Sequence, residues 1–457
     1  MADQILPSSF RDPSGFLYHH NDLLLRQVNH LYKEHYDHLL DSGLYETLVD
    51  NALLISHKEV ETDKQNSNQA YKIIQPELIP FISYPYEWCF SQLKKAALTS
   101  LSIQKKAMNF GMTLKDCSAY NIQFHKGKPI LIDTLSFEKY TEGQTWAGYR
   151  QFCQHFLAPL SLMRYKDVRL NQLLRVNLDG IPLDLASSVL PIHSHFQPEI
   201  LSHIHLHAKA QLFFSEKPAN TQQKKMNRFS FISLLENLES AVNRLTVKPS
   251  RQGWTDYYEK SQYSEDSLNH KKELVAEFLD KVKPRMVWDL GANTGLFSRI
   301  ASSRGILTVS LDGDHDVVEK NYREALQLDD TNLLPLLVDI TNASPGLGWA
   351  HQERSSLMER GPADAVLVLG LINHLAFSNN LPLSKVAGFL KEICHNLIIE
   401  FIPKTDPQAQ RLLISKKDIF PDYTPLNFVN EFNESFLIRH SVPIRGTERI
   451  LYLMQKR

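Results

Sequence analysis

The strongest chemical signal in this chain is Val287-Trp288-Asp289-Leu290-Gly291-Ala292-Asn293-Thr294-Gly295. An apolar run leads into it and a helical pattern leads out. Gly291 and Gly295 let the backbone approach a ligand closely, and the start of the following helix offers unpaired N–H groups. Two nucleotide patterns fail here. A dinucleotide fingerprint needs glycines at 293 and 296, where Asn293 and Leu296 stand. A P-loop needs Gly-Lys-Ser/Thr after its variable residues, and Leu296-Phe297 is not that. What fits is D-x-G-x-x-x-G, from Asp289 to Gly295.

That pattern resembles the S-adenosyl-L-methionine loop of the class I, Rossmann-like methyltransferases, with Asn293 in place of the frequent middle glycine. The resemblance implies roles for two further acids. Asp312, in Val309-Ser310-Leu311-Asp312, would hold both ribose hydroxyls, and Asp339, with Ile340 beside it, would meet the adenine amino group. The implied cofactor set is therefore Asp289, Gly291, Asn293, Gly295, Asp312, Asp339 and Ile340, with no metal. Ligands on open α/β sheets sit beyond the carboxyl ends of the strands, so Asn373 and His374 are expected to face the methyl acceptor as the catalytic pair. The family's Asn-Pro-Pro-Tyr motif is absent, which argues against methylation of adenine N6. His374 either deprotonates a hydroxyl or amine during transfer or merely caps a strand. Glu400 either fixes an acceptor group or binds backbone amides. Upstream, Trp254, Tyr257, Tyr258 and Tyr263 either cover the cofactor's sulfonium or pack the core.

A second constellation lies in the first half. Asp116, Asn121 and Asp133 resemble, by spacing, the catalytic core of kinase-like phosphotransferases, in which an Asp is the base and an Asn and a second Asp hold magnesium. Leu114 stands where that family has histidine, no clear strand lysine is present, and Arg26 is the nearest basic candidate. The expectation is a kinase-like, degenerate module. The alternative is a structural turn rich in Asp and Asn. Module and methyltransferase together resemble a bacterial group that includes nodulation-associated methyltransferases. Five histidines (His193, His195, His203, His205, His207) crowd one stretch, and His203 and His207 at i, i+4 have zinc-binding spacing. Without a nearby acid other than Glu199, an unliganded polar face is the better reading.

The elements that must position these residues alternate. Apolar runs at Met286–Leu290, Leu307–Leu311, Leu333–Val338, Ala365–Leu369 and Leu397–Ile402 are separated mostly by helical patterns, including Val317–Ala325 and Leu383–His395. That rhythm argues for a parallel sheet with helices on both faces. Phe436–Ser441 and Arg449–Met454 read as a closing antiparallel hairpin, which suits the seven-stranded methyltransferase sheet. The first half reads as α+β, with hairpins at 16–28 and 122–132 and a helical pattern from Leu78 to Met112. Ser215–Arg228 is a polar linker and Phe229–Leu245 an amphipathic joining helix. The expected division is an N-terminal domain at 1–215, linker and helix at 216–253, and a methyltransferase domain at 254–457.

Composition sets the outer bounds. A chain of 457 residues with 43% hydrophobic and 22% charged side chains can fill two or three cores and is not a disordered chain. Lys plus Arg number 50 against 51 for Asp plus Glu, so the net charge of −1 disfavours general nucleic-acid coating. The four cysteines, Cys89, Cys117, Cys153 and Cys394, are dispersed, as suits free thiols in a reducing compartment. No signal peptide or membrane-spanning run is read, and a cytoplasmic methyltransferase with an unidentified acceptor is expected. The competing expectation is a binding or scaffold protein whose kinase-like module recognises a partner while the methyltransferase fold is vestigial.

Overall fold

A computed structural model describes residues 4–21, 23–61, 69–215, 225–247, 264–414 and 420–457, without the side chains of 212–215. The chain forms two compact units, Met1–Lys248 with Leu347–Arg354, and Pro249–Gly346 with Ser355–Arg457.

The N-terminal unit opens on an antiparallel sheet whose strands lie in the order Gln4–Ile5, Gly15–His20, Leu23–Asn29, Ala70–Pro76, His57–Glu59. Val28, Ile74 and Leu135 pack with Tyr32 and Tyr36 beneath it. The expected hairpins are present, the second as Ile122–His125 paired with Lys128–Leu131. The helical pattern expected from Leu78 yields a one-turn 3-10 helix at Pro85–Glu87 and an α-helix that begins at Phe90 and ends at Asn109. Pro80 and Pro85 lie ahead of the α-helix, and proline removes a backbone donor and clashes with the preceding turn. Inside that helix the buried Gln104 carboxamide accepts from Leu114 N at 2.7 Å and so fixes the short strand Met112–Leu114.

Helix Arg228–Arg244, read from sequence as a joining helix, is held within this unit. Lys105 pairs with Glu239 at 2.7 Å, Lys94 Nζ donates to Asn243 O and Leu245 O at 2.8 Å, and Arg244 pairs with Glu199 at 2.5 Å. These contacts hold the helix within the first compact unit, whose main segment is Met1–Lys248.

The second unit is α/β. Its strands are β1 (Met286–Leu290), β2 (Leu307–Asp312), β3 (Leu333–Leu337), β4 (Ala363–Val368), β5 (Cys394–Phe401), β6 (Phe436–Pro443) and β7 (Ile450–Lys456). They form one sheet in the order 3-2-1-4-5-7-6. The first five pair in parallel, and β7 runs antiparallel to both of its neighbours, β5 and β6. Trp288, fully buried on β1, aligns with Val309 of β2 and Val366 of β4. Leu274, Val275 and Phe278 of helix Glu265–Val282 pack against Val287, Ala365 and Ile398. Burial on both faces explains the near-continuous apolar strands. Edge strand β3 contains Pro335, a residue without an N–H to offer another chain. Between β3 and β4 there is no helix beyond two one-turn 3-10 pieces, Ile340–Asn342 and Trp349–His351. Among the described residues no helix is long and apolar enough to cross a membrane.

Candidate active site

The glycine loop turns sharply because three of its residues are left-handed: Gly291 at φ 69°, Asn293 at 52° and Gly295 at 82°. Asparagine tolerates that region because its short side chain bonds locally, and here Asn293 Oδ1 accepts from Thr294 N at 2.8 Å. The glycines are needed for space as well. A Cβ on Gly291 would lie 3.1 Å from Leu371 Cδ1, and one on Gly295 would lie 2.2 Å from Asn321 Oδ1. Gly291 N and Ala292 N both donate to Leu311 O, which ties the loop to the end of β2.

Asp289 ends up beneath the loop. It is buried, accepts from Ser298 Oγ at 2.6 Å, and burial lifts its carboxyl to about 7. Ser298 Oγ also reaches Ser310 Oγ, which accepts from Asn321 Nδ2 at 2.8 Å. Arg299 closes the group by donating to Thr294 O and Asn321 Oδ1 and pairing with Glu324. A buried polar lattice thus sets the loop from behind.

In front of the loop lies a cavity of about 330 Å³ at the carboxyl ends of β1 to β4. Gly291, Asn293 and Asp312 line one wall, Asp339, Ile340 and Thr341 a second, and Gly370, Leu371 and His374 a third. Asp312 is gripped by Asn293 N at 2.8 Å and Asp314 N at 2.9 Å, and burial raises its carboxyl to about 6. Asp339 accepts from the Thr341 amide and hydroxyl at 2.8 and 2.7 Å. His374 opens the π-helix His374–Ser378, and burial pushes its imidazole toward the neutral form. Of the residues expected at the site, Asp289, Gly295 and Asn373 do not line the cavity. Asn373 is fully buried, and among the described residues neither atom of its carboxamide has a hydrogen-bond partner.

Glu400, offered by sequence as a cleft carboxylate, is fully buried in an ion network. Lys271 Nζ donates to it at 2.8 Å, and Arg449, 3.4 Å away, also pairs with Asp406 at 2.7 Å. Lys271 Nζ sits 4.5 Å from the Phe297 ring centroid, directly after the glycine loop. Sequence reasoning passed over Lys271, Ser298 and Asn321. The first had a signal: Leu268, Lys271, Val275 and Phe278 share one helical stripe, and a lysine among core positions asks for a partner. Trp254, Tyr257, Tyr258 and Tyr263 lie outside the described residues.

In the N-terminal unit Asp116, Asn121 and Asp133 do come together. Asn121 Nδ2 donates to Ser136 Oγ, Ser136 donates to Asp133, and burial together with the charge of Asp133 raises the Asp116 carboxyl. Arg26 Nη1 stands 2.7 Å from Asp133 Oδ1. The histidines are engaged with neighbours. His203 shares hydrogen bonds with Tyr149 and Asn237, His205 with Ser187 and Ser194, and His207 stacks on Tyr149. Among the described residues no group of three His, Cys, Asp or Glu side chains is placed to hold a metal. Cys89, Cys117, Cys153 and Cys394 are buried free thiols.

No family model matches the chain. Nodulation protein NoeA of Rhizobium meliloti (strain 1021) is 33% identical over 456 residues, covering 98% of this chain and 95% of that protein. Among solved structures, the bifunctional kinase-methyltransferase WbdD aligns over 44% of this chain and 42% of its own, at 14% identity and a TM-score of 0.32. The magnesium protoporphyrin IX methyltransferase ChlM from Synechocystis PCC 6803, solved with bound SAH, aligns over 44% of this chain and 92% of its own, at 18% identity and a TM-score of 0.33.

Proposed function

The chain belongs to the family of nodulation protein NoeA, and from that premise we propose that it transfers a methyl group from S-adenosyl-L-methionine to an acceptor held beside His374. The observation that carries this is the cavity itself, where the glycine loop, the Asp312 carboxylate and Asp339 converge at the carboxyl ends of a sheet with strand order 3-2-1-4-5-7-6. The residues fit the cofactor: a bare Gly291 backbone where a side chain would meet Leu371, an acid for ribose hydroxyls, and an acid with an apolar neighbour for adenine. When bound, S-adenosylmethionine supplies a methyl group activated by sulfonium charge.

The protein's part is placement. The loop lattice fixes Gly291 and Asn293, and the enclosing walls exclude water and hold the acceptor in line. Burial favours the neutral form of His374, and a neutral imidazole can take the proton that a hydroxyl or amine acceptor gives up. S-adenosylhomocysteine should raise the melting temperature of the full chain, and Asp312→Ala should abolish that rise. A rise with NAD and none with S-adenosylhomocysteine would overturn the reading.

A second reading concerns the N-terminal unit, and the Arg26–Asp133 pair favours it. The unit keeps a kinase-like arrangement of Asp116, Asn121 and Asp133 but does not transfer phosphoryl groups. A guanidinium already neutralises the carboxylate that magnesium would need.

A further inference from the structure

The connection from β3 to β4 departs from the helical crossovers elsewhere in the sheet. It lines the cleft from Val338 to Thr341. From Leu347 to Arg354 it is part of the N-terminal unit, and at Ser355 it returns. Its stem is zipped by backbone bonds. Leu357 N donates to Ser344 O at 2.9 Å, Leu347 N to Arg354 O at 3.0 Å, and Arg354 N to Leu347 O at 3.1 Å. The eight residues at its tip form a closed strap.

The strap has a conformation that needs external support. Gly348 lies at φ 81°, Ala350 at 53° and His351 at 61°, and non-glycine residues stay in the left-handed region only where their surroundings hold them. Glu353 supplies part of that hold. Its side chain is only 4% exposed and accepts from Trp349 N at 2.9 Å inside the strap. From the far end of the sequence, Arg11 grips the same carboxylate with Nε at 3.1 Å and Nη2 at 2.6 Å. Next along the chain, the Arg354 guanidinium lies 4.4 Å from the centroid of the Tyr120 ring. Gly348 lets the turn close, since a Cβ there would come within 2.6 Å of Glu353 Cβ.

We propose that Arg11 is a positioning residue for the methyl-transfer cleft. Its two-pronged pair with Glu353 anchors the strap, and the zipped stem passes that constraint to the wall formed by Val338–Thr341. This rests on the reading of the cleft as a cofactor site. The chemistry favours arginine at position 11: a planar fork restrains the carboxylate in direction as well as distance, which a point charge does not. The stem favours transmission, because Thr341 and Leu347 are separated by only five residues, themselves tied by Asn342 N to Asp339 O and by Leu357 N to Ser344 O.

The test uses the full chain with Arg11→Met, which keeps the apolar stem of the side chain and removes the fork, and Arg11→Lys, which returns charge without the fork. Arg11 is 60% exposed, so neither change opens a core. Arg11→Met should weaken S-adenosylhomocysteine binding by about tenfold in calorimetric titration, and Arg11→Lys should recover part of the loss. Amides 338–346 should exchange hydrogen about tenfold faster in ligand-free Arg11→Met than in the wild type, with the global melting temperature little changed. The exchange measurement needs no ligand. A wild-type chain that ignores S-adenosylhomocysteine therefore counts against the cofactor reading, while the exchange result still decides whether Arg11 restrains this wall. Wild-type exchange at 338–346 together with wild-type affinity in Arg11→Met would overturn the proposal. Fast exchange confined to 347–354 would overturn it too, since the strap would then loosen without moving the wall.

Discussion

At the scale of residues, the two acids of the site pull stability and binding in opposite directions with pH. Burial lifts Asp289 to about 7 and Asp312 to about 6, both above the ordinary aspartate value of 3.8. A carboxyl whose folded value is raised holds its proton more tightly when folded than when unfolded. Its contribution is therefore most favourable at low pH and is lost as pH rises from about 4 through the folded value, by about 1.4 kcal/mol per pH unit for each group. The ligand-free protein should lose melting temperature between pH 5 and 8, and Asp312→Asn should flatten part of that slope. Affinity for S-adenosylhomocysteine should run the other way and fall below pH 6, because a protonated Asp312 is a poorer acceptor for ribose hydroxyls. Melting scans and titrations across that range check both, and a pH-independent affinity would contradict the role given to Asp312. The glycine loop was legible because its chemistry is local, with spacing and residue type in one short stretch. Asn321 was not legible, since its closeness to Gly295 depends on how helix His315–Gln327 packs. Nor does anything in the residue type of Glu400 distinguish a cleft carboxylate from one enclosed by Lys271 and Arg449.

At the scale of elements, β1 coincides with its apolar run, and the other parallel strands sit within a few residues of theirs. Strands buried on both faces announce themselves by composition, while their ends do not. β4 begins at Ala363, two residues ahead of its run, because Asp364 serves the sheet by accepting from Arg285 N and Met286 N at the start of β1. β5 starts at Cys394 although His395 and Asn396 are polar, and Asn396 Nδ2 donates to Asp364 O. A polar residue paired across strands looks like loop to any reading of hydropathy. The same blindness hides the contact between helix Glu265–Val282 and β5, where Lys271 meets Glu400 across 129 positions. Breaking one side of a buried ion pair leaves an uncompensated charge, which costs roughly 3–5 kcal/mol. Lys271→Met should therefore destabilise strongly in denaturant unfolding, and adding Glu400→Gln should recover much of the loss, since glutamine can still accept from Arg449. A single variant within about 0.5 kcal/mol of the wild type, the usual range for an inconsequential surface change, would show that the network bears little weight.

At the scale of the whole molecule, the two units invite opposite expectations of their sites. One has a cavity with its acids facing inward, and the other has an acid already paired. Titrating ATP and magnesium into the full chain should give no saturable binding in the micromolar range, and Asp133→Asn should leave the response to S-adenosylhomocysteine intact. Magnesium-dependent nucleotide binding that Asp133→Asn destroys would make this a two-activity enzyme. The division into units was only partly legible, because a strap of eight residues inside a β3–β4 connection reads as loop, and no pattern in Leu347–Arg354 says which unit it joins. That interleaving bears on birth at the ribosome. Arg11 and Glu353 lie 342 positions apart, so at about 5–20 residues per second of synthesis roughly 20–70 s pass between the emergence of one and the other. Through that interval the nascent N-terminal unit lacks its final strand of chain, with the Arg11 fork and the Tyr120 face awaiting partners. Its folding cannot finish as an independent first act of translation, and slowing or pausing synthesis ahead of codon 347 would prolong the period in which chaperones and proteases can reach it.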